Sequence, residues 1–359
     1  MFPLPWRAYA DGMVNRWVAL SVCAASACAG PNEVAAGTGR EAGGAVGGAA
    51  SAGAGTGGAG AGGAGAGGAG AGGAAVGPEP PSCSTPLDCG GVSCCDAQLV
   101  PGGNFLMGRS ESGADAYPGG EADEQPEFTA TVSAFRLDTF EVTVGRFRKY
   151  VEVYAGPPAV GAGAHPKVAG SGWNVAWNTN MPATAAGLRA NLYCMQGRQT
   201  WTDAADAGEQ RPVNCVSWYE AFAFCAWDGG RLPTEAEWEF ASAGGDANNL
   251  YPWGSSVATS ERAVYGGGKA VPAVGSVPGG NARWGHRDLA GSLSEWTFDG
   301  QVYHPGVCND CVSVPSGNAR VVRGGDYFVS DPPPLRAAAR SIIVGVRGPQ
   351  FGVRCARTP

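Results

Sequence analysis

The sequence predicts an α+β fold of short strands, few short helices and much loop. Two apolar helical segments near the middle of the chain each carry their own start and stop signals. Strand-period runs are brief and precede them. The remainder is rich in turn formers, with 60 Gly and 26 Pro in 359 residues, and these residues punctuate regular structure rather than extend it.

Residues 1–28 read as an export segment. Arg7 and Arg16 precede a short apolar run, Trp17 to Ala27, that cannot span a bilayer in the mature protein. Cys28 follows Ala25, Ser26 and Ala27, which resembles a bacterial lipoprotein cleavage site with Ala25 where a leucine is usual. Lipidation of Cys28 is expected, with ordinary cleavage nearby as the alternative, and membrane contact only through that anchor. Residues 29–81 are almost entirely Gly and Ala. Such a run has no side chains to bury against its ordering entropy. It reads as a tether, and some fifty residues at ~5–6 Å × √n reach about 40 Å.

Composition narrows the partners. A net charge of −7 offers no footprint for a phosphate backbone, so nucleic acid is not expected. Twelve cysteines would be unusual in a reducing cytosol and read as the disulfides of a cell-envelope or secreted protein. Residues 82–97 form a small Cys-rich segment carrying Cys83, Cys89, Cys94 and Cys95. With no His nearby, disulfides are favoured over zinc. Adjacent Cys94 and Cys95 should bond elsewhere rather than to each other.

The main domain is assigned to residues 98–359. Asn104–Gly108 and Phe128–Asp138 read as strands, the second with Val132, Ala134, Arg136 and Asp138 alternating against Thr131, Ser133, Phe135 and Leu137. Between them lies an acidic loop (Glu111, Asp115, Glu121, Asp123, Glu124) that is not at EF-hand spacing and reads as solvated. Thr143 caps a helix with Val144, Phe147, Tyr150, Val151 and Tyr154 on one face. Residues 155–190, with isolated Trp173 and Trp177, read as a long surface excursion of the kind that borders binding sites.

The central stretch, Arg211 to Gly245, is the most informative. Ser217 and Glu220 make a capping box, hydroxyl and carboxylate each serving a backbone N–H. Trp218, Phe222, Cys225 and Ala226 then form one helical stripe, and Gly229-Gly230 end it, since glycine takes the left-handed exit without a Cβ clash. Thr234 and Glu237 repeat the box, and Gly244-Gly245 close the second helix. Glu235, Glu237 and Glu239 read as capping plus a solvated face. Downstream, Cys308 and Cys311 in CNDC allow a local bridge, a redox pair or half a zinc site, and the loop setting favours the bridge. Cys194 and Cys215 flank a loop and are expected to pair.

The succession VSWYEA, CAW, RLPTEAEWE and YPWG resembles the core of the formylglycine-generating enzyme (sulfatase-modifying factor) family. VPGGNFLMG, DLAGSLSEW, VVRGGDYF and FGVRC extend the resemblance over roughly residues 98–357. It implies a fold related to C-type lectins. It also implies a Cys225–Cys355 bridge, whose long loop is worth roughly 4–5 kcal/mol of chain entropy. In the family's oxidases, a cysteine pair after R-G-G-S binds copper(I), a soft ion that takes thiolates. Here Val329 and Pro332-Pro333-Pro334 stand about where those thiols belong, Asp326 replaces the serine, and no cysteine lies between Gly324 and Arg354. Copper is therefore not expected. A calcium site of the family uses Asn and Glu in G-N-x-x-E-W. The matching residues, Ser292 and Glu295, make calcium the candidate cofactor, with a buried hydrogen-bonded carboxylate as the other reading of Glu295. Iron-using relatives take histidines from an extra domain, whereas His165, His286 and His304 here lie in separate loops.

Three functions follow. The first is a tethered, non-catalytic member binding an unidentified ligand or protein through a pocket near Asp326, Tyr327, Trp296 and Arg323. The second is an enzyme of altered chemistry using Asp326, Tyr327, Glu295 or Asp299. The third is a formylglycine generator drawing on Cys308 and Cys311. Independently of these, radiolabelled palmitate fed to cells making the full chain is expected to enter the protein and to be lost on Cys28→Ala.

Overall fold

Brief apolar alternation sets the first strands. The computed structural model describes residues 79–109, 122–268, 270–301 and 306–359. The export segment with Cys28, nearly all of the Gly/Ala tract, Glu111, Asp115, Glu121 and His304 lie outside the described residues. Strands β1 (Ala97–Val100), β2 (Gly103–Met107), β3 (Phe128–Val132) and β4 (Phe135–Asp138) come first. In β3, Phe128, Ala130 and Val132 are buried; in β4, Phe135 and Leu137. The single alternation expected across Phe128–Asp138 thus changes phase at Ser133-Ala134. There the Ser133 N–H and hydroxyl both donate to the Asp310 carboxylate, at 2.7 and 2.8 Å. The two strands consequently enter different sheets.

Three small sheets result among the described residues. One has the order β1-β4-β10, with β10 at Ala356–Arg357, and a second the order β2-β3-β6, with β6 at Cys308–Asn309. The third runs β8-β7-β5-β9, from β5 (Ser294–Trp296), β7 (Ala319–Arg323), β8 (Arg340–Val344) and β9 (Phe351–Gly352). The helices are α1 (Val144–Val153), α2 (Ala185–Asn191), α3 (Trp218–Trp227) and α4 (Glu235–Ala243). Both capping boxes are formed, and Gly244 leaves α4 at φ +71°.

Helix α3 runs through the main core. Phe224 stacks on Phe147 of α1 at 5.3 Å, and Trp218 meets Trp177 edge to face at 5.0 Å. Trp173 and Trp177, read as isolated, are instead buried against Phe222. Segment 155–190 is therefore pinned by two indoles, each adding about 0.5–1.5 kcal/mol beyond its buried area.

The Cys-rich segment is built into the same unit, 72–359. Cys83 bonds Cys95 and Cys89 bonds Cys94. Buried Arg146 of α1 ion-pairs with Asp138 at 2.8 Å and Asp228 at 2.6 Å, and its Nε donates to the Ser82 hydroxyl. Three further bridges join Cys194–Cys215, Cys225–Cys355 and Cys308–Cys311. The acidic loop's Glu124 is not solvated: it is buried and paired with Arg336.

At the meeting point of the layers, all five N–H donors of buried Arg354 are used. Nε and Nη2 serve Glu295 at 2.7–3.0 Å, and the remaining donors serve the carbonyls of Asp138, Thr139 and Arg287. Trp238 Nε1 donates to the other side of the Glu295 carboxylate at 2.7 Å. Removing one partner of a buried pair strands the other's charge, at about 3–5 kcal/mol. Arg354→Met is expected to lower the thermal midpoint by roughly 10 °C, measured by calorimetry on the full chain, whereas a surface change such as Val257→Thr leaves it in place.

Candidate functional site

The first turn of α3, the end of β5, strand β7 and the residues just after β8 surround a cavity of ≈ 230 Å³. Its walls include Ser217, Trp218 and Tyr219 from α3, Trp296 from β5, and Arg320 from β7, with Asn318, Asn180 and Gly345–Arg347 at its mouth. The sequence places aromatics here because the capping box fixes where α3 begins. Trp218 and Trp296 commit their indole N–H groups to the carbonyls of Thr297 and Val216, at 2.7 and 3.0 Å. Ring surfaces, not N–H donors, are left for a ligand.

Arg320 is the cation of this cavity, only 2% exposed. Its guanidinium lies 4.1 Å from the Trp218 ring centre and 5.3 Å from that of Tyr219. Nη1 donates to the carbonyls of Gly317 and Ala319, both at 2.6 Å, and Nη2 to the Tyr219 hydroxyl at 3.3 Å. Nε has no acceptor, and no carboxylate faces the group, among the described residues. Burial accordingly lowers its pKa. Arg347, near the mouth, is instead paired with Glu220 at 3.1 Å.

Of the pocket residues read from sequence, Trp296 lines this cavity and the others stand elsewhere. Tyr327 is buried with Val271 and Leu293. Asp326 accepts from Ser294 and from the Phe328 N–H, and burial raises its pKa. Arg323 belongs to a buried network: Arg323 and Arg340 both contact Glu235 and Glu239, and Glu239 also accepts from the Gly108 N–H at 2.6 Å. The solvated face expected at Glu235, Glu237 and Glu239 is therefore corrected. All three are buried, Glu237 as both cap and partner of Arg231 at 2.6 Å. Gly324, at φ +92°, has no room for a Cβ, which would sit 2.9 Å from the Leu289 carbonyl and against Trp238. Asp299 caps the start of α4 by accepting from Glu235 N–H at 2.7 Å; burial, aided by the Glu235 charge, pushes it up to about 8.

The donor sets bear on metals. Copper(I) needs thiolate sulfur, and all ten described cysteines are joined in disulfides, so these residues do not fit it. Cys308 and Cys311 are bridged to each other. Calcium does not fit Glu295 and Ser292 either: Arg354 and Trp238 hold both Glu295 oxygens, and the Ser292 hydroxyl donates to Glu141 at 2.9 Å. Burial, with the charges of Asp288 and Glu295 adding to it, raises Glu141 well above the usual carboxylate range. His165 lies against Glu237, 3.4 Å from its carboxylate. His286 is fully buried.

A model of sulfatase-modifying factor enzyme 1-like domains matches residues 90–359. A hercynine oxygenase of Mycolicibacterium smegmatis is 32% identical over 276 residues, covering 72% of this chain and 60% of that protein. The formylglycine-generating enzyme of Streptomyces coelicolor is 31% identical, covering 67% and 82%. The inactive C-alpha-formylglycine-generating enzyme 2 of Mus musculus is 30% identical, covering 64% and 73%. Among solved structures, PvdO from Pseudomonas aeruginosa superposes with a TM-score of 0.53 at 21% identity, covering 73% and 93%. The chain thus spans under two thirds of the hercynine oxygenase it matches.

Two buried groups contribute to the acid response in the same sense. Burial, with the Arg354 charge adding to it, takes His286 from its ordinary 6.5 down to about 3. Burial opposes ionisation of Glu237, but the Arg231 charge outweighs it and brings the group to about 2 from 4.5. Between pH 6.5 and about 3, the unfolded chain binds a proton at His286 that the folded chain does not. The His286 contribution to stability therefore rises with pH there, and Glu237 adds a further loss as pH falls from 4.5 through about 2. Asp299, held up to about 8, and the raised Glu141 act in the opposite sense over part of this range. The His286 contribution is therefore read by difference: the urea midpoint of His286→Leu is expected to gain on that of the unmutated chain as pH falls from 6.5 to 4.5.

Proposed function

The chain belongs to the sulfatase-modifying factor family, and from that premise we propose an exported, non-catalytic member that binds a ligand and makes no formylglycine. The observation that carries this reading is the sulfur inventory. Twelve cysteines are present, and the ten that are described are all in disulfides. The other two, Cys23 and Cys28, lie in or beside the export segment. Disulfide sulfur does not replace thiolate in holding copper(I), and Val329 and the proline run supply no substitute.

Export is supported by the same inventory, since five bridges persist only in an oxidising compartment. No helix among the described residues is long and apolar enough to cross a membrane; the anchor proposed is a lipid at Cys28. Binding is supported by the cavity at α3. Its wall carries two indole faces and a buried cation, the mix of apolar surface and one fixed polar group that ligand sites share.

The test uses the full chain, unreduced. Thiol titration in denaturant is expected to find no more than two reactive cysteines. Incubation with copper and a cysteine-containing sulfatase peptide under oxygen is expected to give no aldehyde by mass spectrometry. Formylglycine formed with one bound copper per chain would overturn the reading.

A further inference from the structure

We infer that the α3 cavity is a carboxylate-binding pocket in which Arg320 supplies the charge, the carboxylate being that of a small organic acid or of a peptide C-terminus. The inference rests on the binding role proposed above and names the chemistry of that site.

Taking a guanidinium out of water costs several kcal/mol unless an opposite charge meets it. Elsewhere in this domain that requirement is satisfied. Arg146 has Asp138 and Asp228, Arg336 has Glu124, Arg340 has Glu235 and Glu239, and Arg354 has Glu295. Arg320 is as little exposed as these, though it borders a cavity, and has carbonyls, a phenol and ring faces, but no anion among the described residues. The two carbonyls occupy Nη1. That leaves Nη2 with a single 3.3 Å contact, and a ligand carboxylate would meet the guanidinium there.

The first turn of α3 points the same way. The amides of Trp218 and Tyr219 open the helix and have no intrahelical acceptor, and the helix dipole favours negative charge there. Glu220, the carboxylate nearest this turn, is already engaged by Ser217, Asn191 and Arg347, so it does not serve Arg320. One uncompensated cation between indole faces suits a monoanion with a flat or apolar body better than a phosphate. The two sources of such a carboxylate differ in what lies beyond the mouth. Val346 continues the wall toward β8, an edge strand exposing Ile342 and Val344, where an extended peptide has backbone groups to pair with.

Ligand-observed NMR on the full chain tests this with phenylacetate, glucuronate and a free-acid hexapeptide, each against its neutral amide. At least one acid is expected to bind saturably and at least tenfold more tightly than its amide. The peptide acid binding best assigns a chain terminus, and a small acid binding best assigns a free metabolite. Arg320→Gln is expected to erase the acid-over-amide preference, while Arg283→Gln, which removes a cation outside the cavity that is held by Asp246, keeps it. Equal binding of acids and amides by the unmutated chain, or no saturable binding of any acid, overturns the assignment without reliance on any variant folding. The formylglycine assay is read separately: turnover there defeats the non-catalytic reading, whereas silent carboxylates defeat this inference alone.

Discussion

The domain is closed around one buried ion pair, Arg354 with Glu295. None of its described strands exceeds five residues, and none of its three sheets has a face wide enough to bury itself. Such pieces need a common fastening, and a guanidinium supplies one because its five donors point outward in a fixed plane. Here they reach β5 through Glu295, the end of β4 through two carbonyls, and the loop at Arg287, while Trp238 brings α4 onto the same carboxylate. The pair explains why Glu295 has no capacity left for a hard cation. The charge that a metal would bring is already present, as a side chain.

The same logic recurs across the interior. Arginine and carboxylate meet at Arg146, Arg323, Arg336 and Arg340, and each contact joins segments far apart in the chain. Buried ion pairs add little net stability over apolar packing, but a misplaced partner is heavily penalised. In a fold with so much loop, that penalty selects one arrangement of the segments. Against this background Arg320 stands out by what it lacks.

Local signals were legible and remote ones were not. Both capping boxes lie within four residues, so Ser217/Glu220 and Thr234/Glu237 marked α3 and α4 correctly. The glutamates of α4 misled for a complementary reason: nothing within Glu235–Glu239 reveals that Arg323 and Arg340 come to it from 84 and 101 residues away. The strand break at Ser133 depends on Asp310, 177 residues on. The glycine and proline of residues 155–190 read as a surface excursion, yet two indoles, Trp173 and Trp177, suffice to pin that segment to the core. At the site, Trp296 was found through its motif. Arg320 was passed over, since in ARVVR it reads as one more alternating polar residue, and a missing counterion leaves no mark in a sequence.

The placement of Cys355 has a further consequence. Arg354, Cys355 and β10 follow one another within residues 354–357, yet they supply the hub donor, the bridge to α3 across a separation of 130 residues and an outer strand beside β4. Contacts so remote in sequence delay folding. One short stretch thereby carries an ionic, a covalent and a backbone fastening at once, so that displacing it would loosen all three together.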